Sequence, residues 1–310
     1  MRVIFFLAAA IGLWIICKVA EIHLFLKMAI GRPRVHRNKN RNGQKSDYET
    51  AYEAGIEWLE MQEQEVIKRK SYDGLSLIAH FIPAKNQKRI LLAFHGWHSS
   101  WKKDFALCAR DFLEKGCSLL LVEQRAQGNS EGDYMGFGIL ERYDCHMWIH
   151  YISKRFGEEI PVYLYGVSMG AATVLMACGQ ELPVNVRGII ADCGFTTPYD
   201  MVAEYAKKFM KMREFPSVPR VNRLCLSKAG YDLKGYSTLE AMKVCKIPVF
   251  FIHGTEDDFV PYHMTLQNYQ QCAAKKELML VEGAGHCRCY FTDRASYMEK
   301  IEDFFGWNFK

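Results

Sequence analysis

One serine stands between two glycines at the point where a predicted strand gives way to a predicted helix. The stretch Gly166-Val167-Ser168-Met169-Gly170 follows the apolar residues VYLY and precedes AATVLMA. A sharp strand-to-helix turn holds a nucleophile in a strained conformation, and only residues nearly without side chains fit two positions before and after it. The sequence therefore predicts that Ser168 is a nucleophile, and the free N–H groups of the following helix suit an oxyanion.

A serine nucleophile needs a base, and the base needs an acid to hold it. Two later predicted strands end near such groups: Asp257 in FFIHGTEDDFVP and His286 in LVEGAGHC. Taken alone, Asp257 is a helix-capping carboxylate and His286 a surface histidine. Together with Ser168 they fall at strand ends in the order Ser, Asp, His that sheets with this turn use, which favours a catalytic triad. Asp258 and Glu256 are the less favoured alternatives for the acid.

The elements that must position these residues alternate along the chain. An amphipathic helix over residues 47–61 and a hairpin turning at Tyr72-Asp73-Gly74 come first. From Arg89 onward, short all-apolar strands alternate with helices, which predicts an α/β fold with a mainly parallel central sheet and helices on both faces. Ligands bind such sheets beyond the carboxyl ends of the strands. A mostly helical insert over residues 198–246 is interpreted as a small cap, and its methionines and aromatics as an apolar acyl-binding wall or simply cap packing.

The N-terminal segment is apolar enough to enter a membrane. The stretch from Val3 to Cys17 is shorter than the ~20 residues of a full span, but it extends to Ile30 if Lys18 snorkels to the headgroups. A cleaved signal peptide is the alternative, although only Arg2 precedes the apolar stretch and Lys18 stands where a small residue is required. We therefore predict an uncleaved single-pass anchor over residues 1–30.

The residues that follow the anchor carry positive charge without periodicity. Residues 31–46 contain six Lys and Arg side chains and no acidic residue, and they are interpreted as a linker. Cations on this side of a span predict that the domain of residues 47–310 lies in the cytoplasm, at the cell membrane. The net charge is only +5, and the basic segment lacks interleaved aromatics, so no nucleic-acid binding is predicted.

The other side chains with possible chemistry fit packing better than a cofactor or metal. Eleven cysteines, an odd number, lie in apolar stretches, as expected of mostly reduced, buried thiols. Cys145, His146 and His150 lack a carboxylate pattern, and Cys287 with Cys289 lacks two further metal ligands. No phosphate-binding glycine motif occurs. We predict no metal and no cofactor.

These motifs together resemble the α/β-hydrolase superfamily, from about Glu65 to Phe305. Within it, the chain is similar to bacterial serine hydrolases, membrane-anchored or cytosolic, whose substrates are undefined. The matching residues are His95-Gly96, Arg125, Gly128-Asn129-Ser130, the turn around Ser168, His253-Gly254 with Asp257 and Val260-Pro261, and Gly285-His286.

The resemblance implies an α/β-hydrolase fold and several residue roles. The family's His-Gly-x-x-Asp-x-x-Val-Pro pattern selects Asp257 as the acid. The residues after His-Gly and after the nucleophile form the family's oxyanion hole, which implies the N–H groups of Trp97 and Met169. Gln127 departs from the histidine of many relatives at a position that is structural in the family.

The predicted activity is hydrolysis of a carboxylic ester or thioester through an acyl-enzyme on Ser168. A peptidase or amidase with the same triad is one alternative, and a catalytically silent, membrane-tethered binding protein is another. The expected partners are the membrane and a small-molecule or lipid-like acyl substrate. The sequence leaves the substrate and the oligomeric state open.

Overall fold

The computed structural model of the protein describes residues 2–33 and 46–307. One eight-stranded sheet organises them, with the order β1-β2-β4-β3-β5-β6-β7-β8. The strands are β1 Glu65–Lys70, β2 Ser76–Ile82, β3 Arg89–Phe94, β4 Cys117–Glu123, β5 Val162–Val167, β6 Val186–Asp192, β7 Val249–Gly254 and β8 Lys276–Val281. The helices are α1 Arg2–Ile30, α2 Asp47–Glu60, α3 Trp101–Phe105, α4 Ala109–Glu114, α5 Glu141–Phe156, α6 Met169–Ala177, α7 Pro198–Lys208, α8 Glu214–Ala229, α9 Thr238–Val244, α10 His263–Gln271, α11 Cys289–Thr292 and α12 Arg294–Phe305.

The sheet is mainly parallel, as the alternating strands and helices predict. β1 and β2 form the predicted antiparallel hairpin, and β2 also runs antiparallel to β4. All other neighbouring strands are parallel. Every residue of β3, β4, β5 and β7 is buried, because helices cover both faces and leave no polar side for alternation.

Two apolar clusters, one on each face, hold the helices to the sheet. One cluster joins strands to α5 and α6, with Trp148 fully buried at its centre. The other joins strands to α3, α4 and α12 and contains Phe112 and Tyr297. Residues 101–116 form two short helices, α3 and α4, rather than one continuous helix. The turn between them lies where Gly55 of α2 contacts the main chain of Ala106.

The predicted insert is largely helical. α7, α8 and α9 lie within residues 198–246. The apolar faces of α7 and α8 enter a third cluster above the carboxyl end of the sheet, whereas Ala241 and Met242 of α9 pack in the cluster of α5 and α6. Val202 of α7 and Val221 of α8 are buried in the third cluster beside Met169, the first residue of α6. The cap therefore packs directly over the end of the sheet at which the predicted site lies.

The N-terminal helix α1 has two different halves. Over Ile4–Ile30, with a mean hydropathy of 2.0, it is long and apolar enough for either a membrane span or a signal sequence. Its first half is exposed, with Phe5 and Phe6 each about 70% accessible, whereas Phe25 and Ile30 are fully buried. The buried half belongs to the same cluster as the cap helices.

The chain just after α1 is also fastened to the domain. The Ile30 carbonyl accepts a hydrogen bond of 2.7 Å from the Met135 N–H. The Arg32 guanidinium donates to the carbonyls of Ser130 at 2.7 Å and Gly128 at 2.6 Å. Residues 34–45 of the predicted linker lie outside the described residues. The C-terminal part of α1 is thus packed as a component of the domain and is not separated from it by the linker.

The two halves of α1 give a direct test of this packing. We expect Phe25→Ala to destabilise the full chain by about 3–5 kcal/mol, because it removes a fully buried ring. The matched change Phe6→Ala, in the exposed half, leaves stability nearly unchanged. The measurement is the thermal unfolding midpoint of the full chain in a neutral detergent. Equal midpoints for the two variants would show that α1 does not pack on the domain.

Candidate active site

Ser168 lies on a strained turn between β5 and α6. Its backbone has φ of +55° and ψ of −116°, a conformation that residues with a side chain rarely adopt. A Cβ on Gly166 would collide with the main chain of Gly170, and a Cβ on Gly170 would collide with the carbonyl of Phe94. The two glycines are therefore required by close packing of β5, α6 and β3. The predicted nucleophile turn has the backbone geometry that such a turn needs.

The structure brings the three predicted triad residues together from three loops. The Ser168 hydroxyl lies 3.0 Å from His286 Nε2, and His286 Nδ1 lies 2.6 Å from Asp257 Oδ2. Asp257 follows β7, and His286 follows β8. In this arrangement the serine donates to the imidazole and the imidazole donates to the carboxylate, which is the geometry of a nucleophile, a base and an orienting acid.

Asp257 is held in place by donors on both carboxylate oxygens. The N–H groups of Phe259 and Val260 donate to Oδ1 at 2.9 Å and 2.8 Å. His253 Nε2 lies 3.1 Å from Oδ2 and 2.9 Å from the Val260 carbonyl, so it donates to these acceptors. Burial works against the charge, but the hydrogen bonds from His253 and His286 hold the pKa of Asp257 well below its usual range.

The pKa of the His286 imidazole is shifted in the opposite direction. Burial disfavours its charged form, whereas Cys193 and the Asp257 carboxylate favour it, and the pKa of His286 rises well above its usual range. The Asp257 carboxylate is the physical cause of this rise, because burial raises the pKa of the Cys193 thiol and that group stays neutral. The neutral imidazole that can accept a proton is therefore favoured toward alkaline pH.

The two alternative acids do not enter the site. Glu256 and Asp258 are both exposed, whereas the Asp257 side chain is fully buried. Of the three adjacent carboxylates, Asp257 is the one that forms a hydrogen bond with His286. This geometry supports the predicted choice of Asp257.

The two residues implied for the oxyanion hole flank Ser168. Met169 is the first residue of α6, so its N–H has no acceptor within the helix. Trp97 lies in the loop after β3, which is fixed by a 2.6 Å bond from the Gly96 N–H to the Asp104 carboxylate. Within the described part of the chain, the Trp97 N–H donates to no hydrogen bond. Both N–H groups thus remain available near the serine.

The indole of Trp97 is held by the N-terminal helix. Its Nε1 donates to the Ala29 carbonyl at 2.6 Å, and its ring stacks on His98 with centroids 4.0 Å apart. The last carbonyls of a helix have no intrahelical donor, so the indole satisfies one of them. The residue implied for the oxyanion hole is therefore positioned partly by α1.

A narrow apolar pocket opens onto Ser168. Its walls come from α1, from the loop after β3, from α7 and from the loops below the cap, and they are apolar or aromatic apart from the serine. The lining residues are Ala29, Trp97, Phe137, Ser168, Met169, Phe195, Met201, Val202, Tyr205 and Phe259. Such a pocket fits the apolar part of a substrate and offers no partner to a charged one.

The cysteine and histidine candidates have other surroundings. Cys145 is buried, His146 Nε2 bonds the Ala177 carbonyl at 3.0 Å, and His150 is exposed, so they share no site. Cys193 and Cys287, with sulfurs 3.5 Å apart, lie close to His286 and could form a metal-binding group with it. Both imidazole nitrogens of His286 already serve Asp257 and Ser168, so a metal there would displace one of these bonds.

Arg125 and Gln127, which belong to the motifs of the resemblance or lie beside them, are buried away from the pocket at Ser168. The Arg125 guanidinium is buried and makes two 2.7 Å bonds to the Asp144 carboxylate. Gln127, at the position of the family's histidine, is fully buried, and its side-chain amide has no hydrogen bond within the described residues. Neither side chain lines the pocket at Ser168. The departure at Gln127 leaves the triad geometry intact.

Sequence reasoning missed two contributors to this site. His253 belongs to the His-Gly motif, but the motif does not indicate its bond to Asp257. Its spacing of four residues from the acid is the signal that could have indicated this contact. Ala29 was assigned to an anchor, and nothing in its local sequence indicates a pocket wall. Only the packing of α1 on the cap places it there.

Comparisons with known proteins give one consistent fold. A family model described as serine aminopeptidase, S33, matches residues 85–229. The uncharacterized protein YqkD of Bacillus subtilis is 25% identical over 62% of this chain and 63% of its own length, so this chain spans less than two thirds of it. The uncharacterized protein YfhR of Escherichia coli K12 is 25% identical over 77% of this chain and 80% of its own. The solved esterase Pf2001 of Pyrococcus furiosus has a TM-score of 0.67 at 20% identity, covering 90% of this chain and 97% of its own.

The raised pKa of His286 can be measured. We expect its imidazole to titrate above 6.5 in the full chain, and Asp257→Asn to lower that pKa because it removes the carboxylate charge. The measurement is NMR of histidine-labelled protein, with the resonance assigned from His286→Asn. Asp258 is an exposed neighbour of Asp257, and the control variant Asp258→Asn should leave the titration of His286 unchanged. Equal effects of the two variants on the pKa of His286 would show that the Asp257 carboxylate is not the cause of its rise.

Proposed function

We propose that this chain, which has an α/β-hydrolase fold, is a serine hydrolase that cleaves carboxylic esters or thioesters. One observation carries the proposal: a serine on a strained turn lies 3.0 Å from an imidazole, which lies 2.6 Å from a buried carboxylate. A serine hydroxyl at its free pKa is a poor nucleophile, and this arrangement is what activates it.

The proposed reaction follows from these contacts. His286 Nε2 accepts the Ser168 proton as Oγ attacks the acyl carbonyl, and the Asp257 carboxylate stabilises the resulting imidazolium. The N–H groups of Trp97 and Met169 bind the oxyanion, each worth about 3–4 kcal/mol in comparable sites. The imidazolium then protonates the leaving alcohol or thiol. Water, deprotonated by His286, repeats these steps on the acyl-enzyme and releases the acid.

The pocket supports an ester rather than a peptide as the substrate. The lining of the pocket contains no charged side chain that could bind a peptide amine or carboxylate. The similarity to the Pyrococcus furiosus esterase agrees with this choice. The family description as serine aminopeptidase supports the second candidate, a peptidase with the same triad. A silent binding protein is disfavoured because all three side chains are present with hydrogen-bonded geometry.

The proposed location is a membrane, with α1 as an uncleaved single-pass anchor and the domain in the cytoplasm. The exposed apolar half of α1 supports a membrane environment. Its buried half supports retention over cleavage, because removal would expose Phe25 and Ile30 and open the pocket at Ala29. A lipid-like acyl substrate suits both the membrane and the apolar pocket. We propose neither a metal nor a cofactor for this reaction.

A fluorophosphonate probe tests the enzyme. We expect it to label the folded full chain, and Ser168→Ala to abolish labelling and lower ester hydrolysis by about 10⁴-fold or more. The exposed Ser227 supplies the control, and Ser227→Ala should label as the wild type does. Absence of labelling in the folded wild type would support the binding-protein alternative. Faster cleavage of amides than of matched esters would favour the peptidase.

The contribution of α1 to the pocket predicts a change of acyl preference. We expect Ala29→Leu to lower kcat/KM for a dodecanoyl p-nitrophenyl ester by about tenfold or more, because the larger side chain fills acyl space. Activity on the acetyl ester should change by no more than about twofold. Ala10→Leu, in the exposed half of α1, is the matched control. A uniform loss on both esters would place Ala29 outside the acyl pocket.

A further inference from the structure

A second cavity lies outside the catalytic pocket, where α1 crosses the cap helix α8. It is a surface groove that opens to the surroundings. Lys18 and His23 of α1 and Arg220 and Arg223 of α8 form its polar side. Trp14, Ile15, Val19 and Ile22 of α1 and Leu224 of α8 form its apolar side. A groove that is cationic on one side and apolar on the other fits an amphiphile with a negative head.

The position of this groove relative to a bilayer follows from the exposure of α1. The apolar side chains are exposed from Ile4 to Val19, and burial on the domain begins at Ile22. At a helical rise of about 1.5 Å per residue, that exposed stretch measures roughly 24 Å. The hydrocarbon core of a bilayer is about 30 Å thick. A spanning α1 must therefore bring the domain against the membrane surface. The groove runs beside Trp14 to His23 of α1, so it extends from the hydrocarbon to headgroup depth.

The charge in the groove is not neutralised by the protein. The carboxylate on this part of α1, Glu21, is already paired with Lys18 at 2.6 Å. Arg220 and Arg223 are both exposed, and within residues 2–33 and 46–307 neither forms an ion pair or a hydrogen bond. Residues three apart lie on one helix face, so the two like charges repel each other until an anion lies between them.

The chemistry of the two arginines selects phosphate as that anion. A guanidinium binds phosphate oxygens through two parallel N–H donors and is more easily desolvated than an ammonium. Basic residues at the membrane surface attract anionic lipids. The apolar side of the groove, with Trp14 and Ile15, continues along α1 toward the hydrocarbon and suits an acyl chain. A free phosphate would use only the arginine side.

We propose that the groove between α1 and α8 binds an anionic phospholipid of the membrane in which α1 lies. Arg220 and Arg223 bind its phosphate, and an acyl chain lies along the apolar side of α1. This inference rests on the membrane location proposed above but not on the hydrolytic activity. A lipid bound there joins the anchor to α8, whose buried face contains Val221 beside the pocket residues of the cap.

The experiment is lipid binding to the full chain in neutral detergent, measured by native mass spectrometry. We expect phosphatidylglycerol to bind about tenfold or more tightly than phosphatidylcholine, and Arg220→Gln/Arg223→Gln to abolish that preference. Arg220→Lys/Arg223→Lys keeps the charge and should retain part of it. Lys228→Gln/Lys243→Gln removes the same charge from exposed cap positions outside the groove and should bind as the wild type does.

Each other outcome overturns the proposal in a recognisable way. Equal binding of the two lipids, or an unchanged preference in Arg220→Gln/Arg223→Gln, means that the groove is not an anionic-lipid site. Complete displacement of phosphatidylglycerol by inorganic phosphate means a free-phosphate site instead. Release of the chain from membranes by alkaline carbonate refutes the membrane location itself. None of these readouts depends on hydrolysis, so a failure of the proposed activity is distinguishable.

Discussion

The close approach of three backbone segments at Ser168 is the constraint from which the site follows. β5 ends, α6 begins and the carbonyl end of β3 lies directly against Gly170, so that no Cβ can be present there. The Ser168 N–H donates to the Asp192 carbonyl at 2.8 Å, which ties the same turn to the end of β6. The strained backbone at Ser168 is stabilised by this packing, and it aims the hydroxyl out of the sheet toward the cap. Every other group of the site is positioned relative to that hydroxyl.

The electrostatics of the site depend on one buried carboxylate. Asp257 would be costly to bury as a charge, but two main-chain donors and two imidazoles surround it. The low pKa of Asp257 and the raised pKa of His286 are two consequences of the same hydrogen bond. His253 stabilises this pair without touching Ser168, and its Nδ1 lies 2.7 Å from the Thr265 hydroxyl. A proton acceptor is thereby oriented at the serine by a rigid, buried network.

The N-terminal helix connects this site to the exposed apolar segment that we propose as a membrane anchor. Ala29 supplies both a pocket wall and the carbonyl that holds the Trp97 indole. Trp97, Phe259 and His286 form a chain of ring contacts, with centroids 6.0 Å and 5.0 Å apart. A chain that begins at residue 47 would lack this wall and the acceptor of the Trp97 indole, so its pocket would be altered.

Local patterns in the sequence determined the chemistry of this protein and most of its elements. The glycines beside Ser168, the apolar strands and the order of Ser168, Asp257 and His286 are readable because each depends on neighbours a few residues away. The tertiary structure alone decided that residues 101–116 form two helices and that Ala29 lines the pocket. It also placed Arg220 beside the N-terminal helix. These features depend on contacts between segments far apart in the chain, and such contacts are set by the packing of whole elements rather than by local spacing.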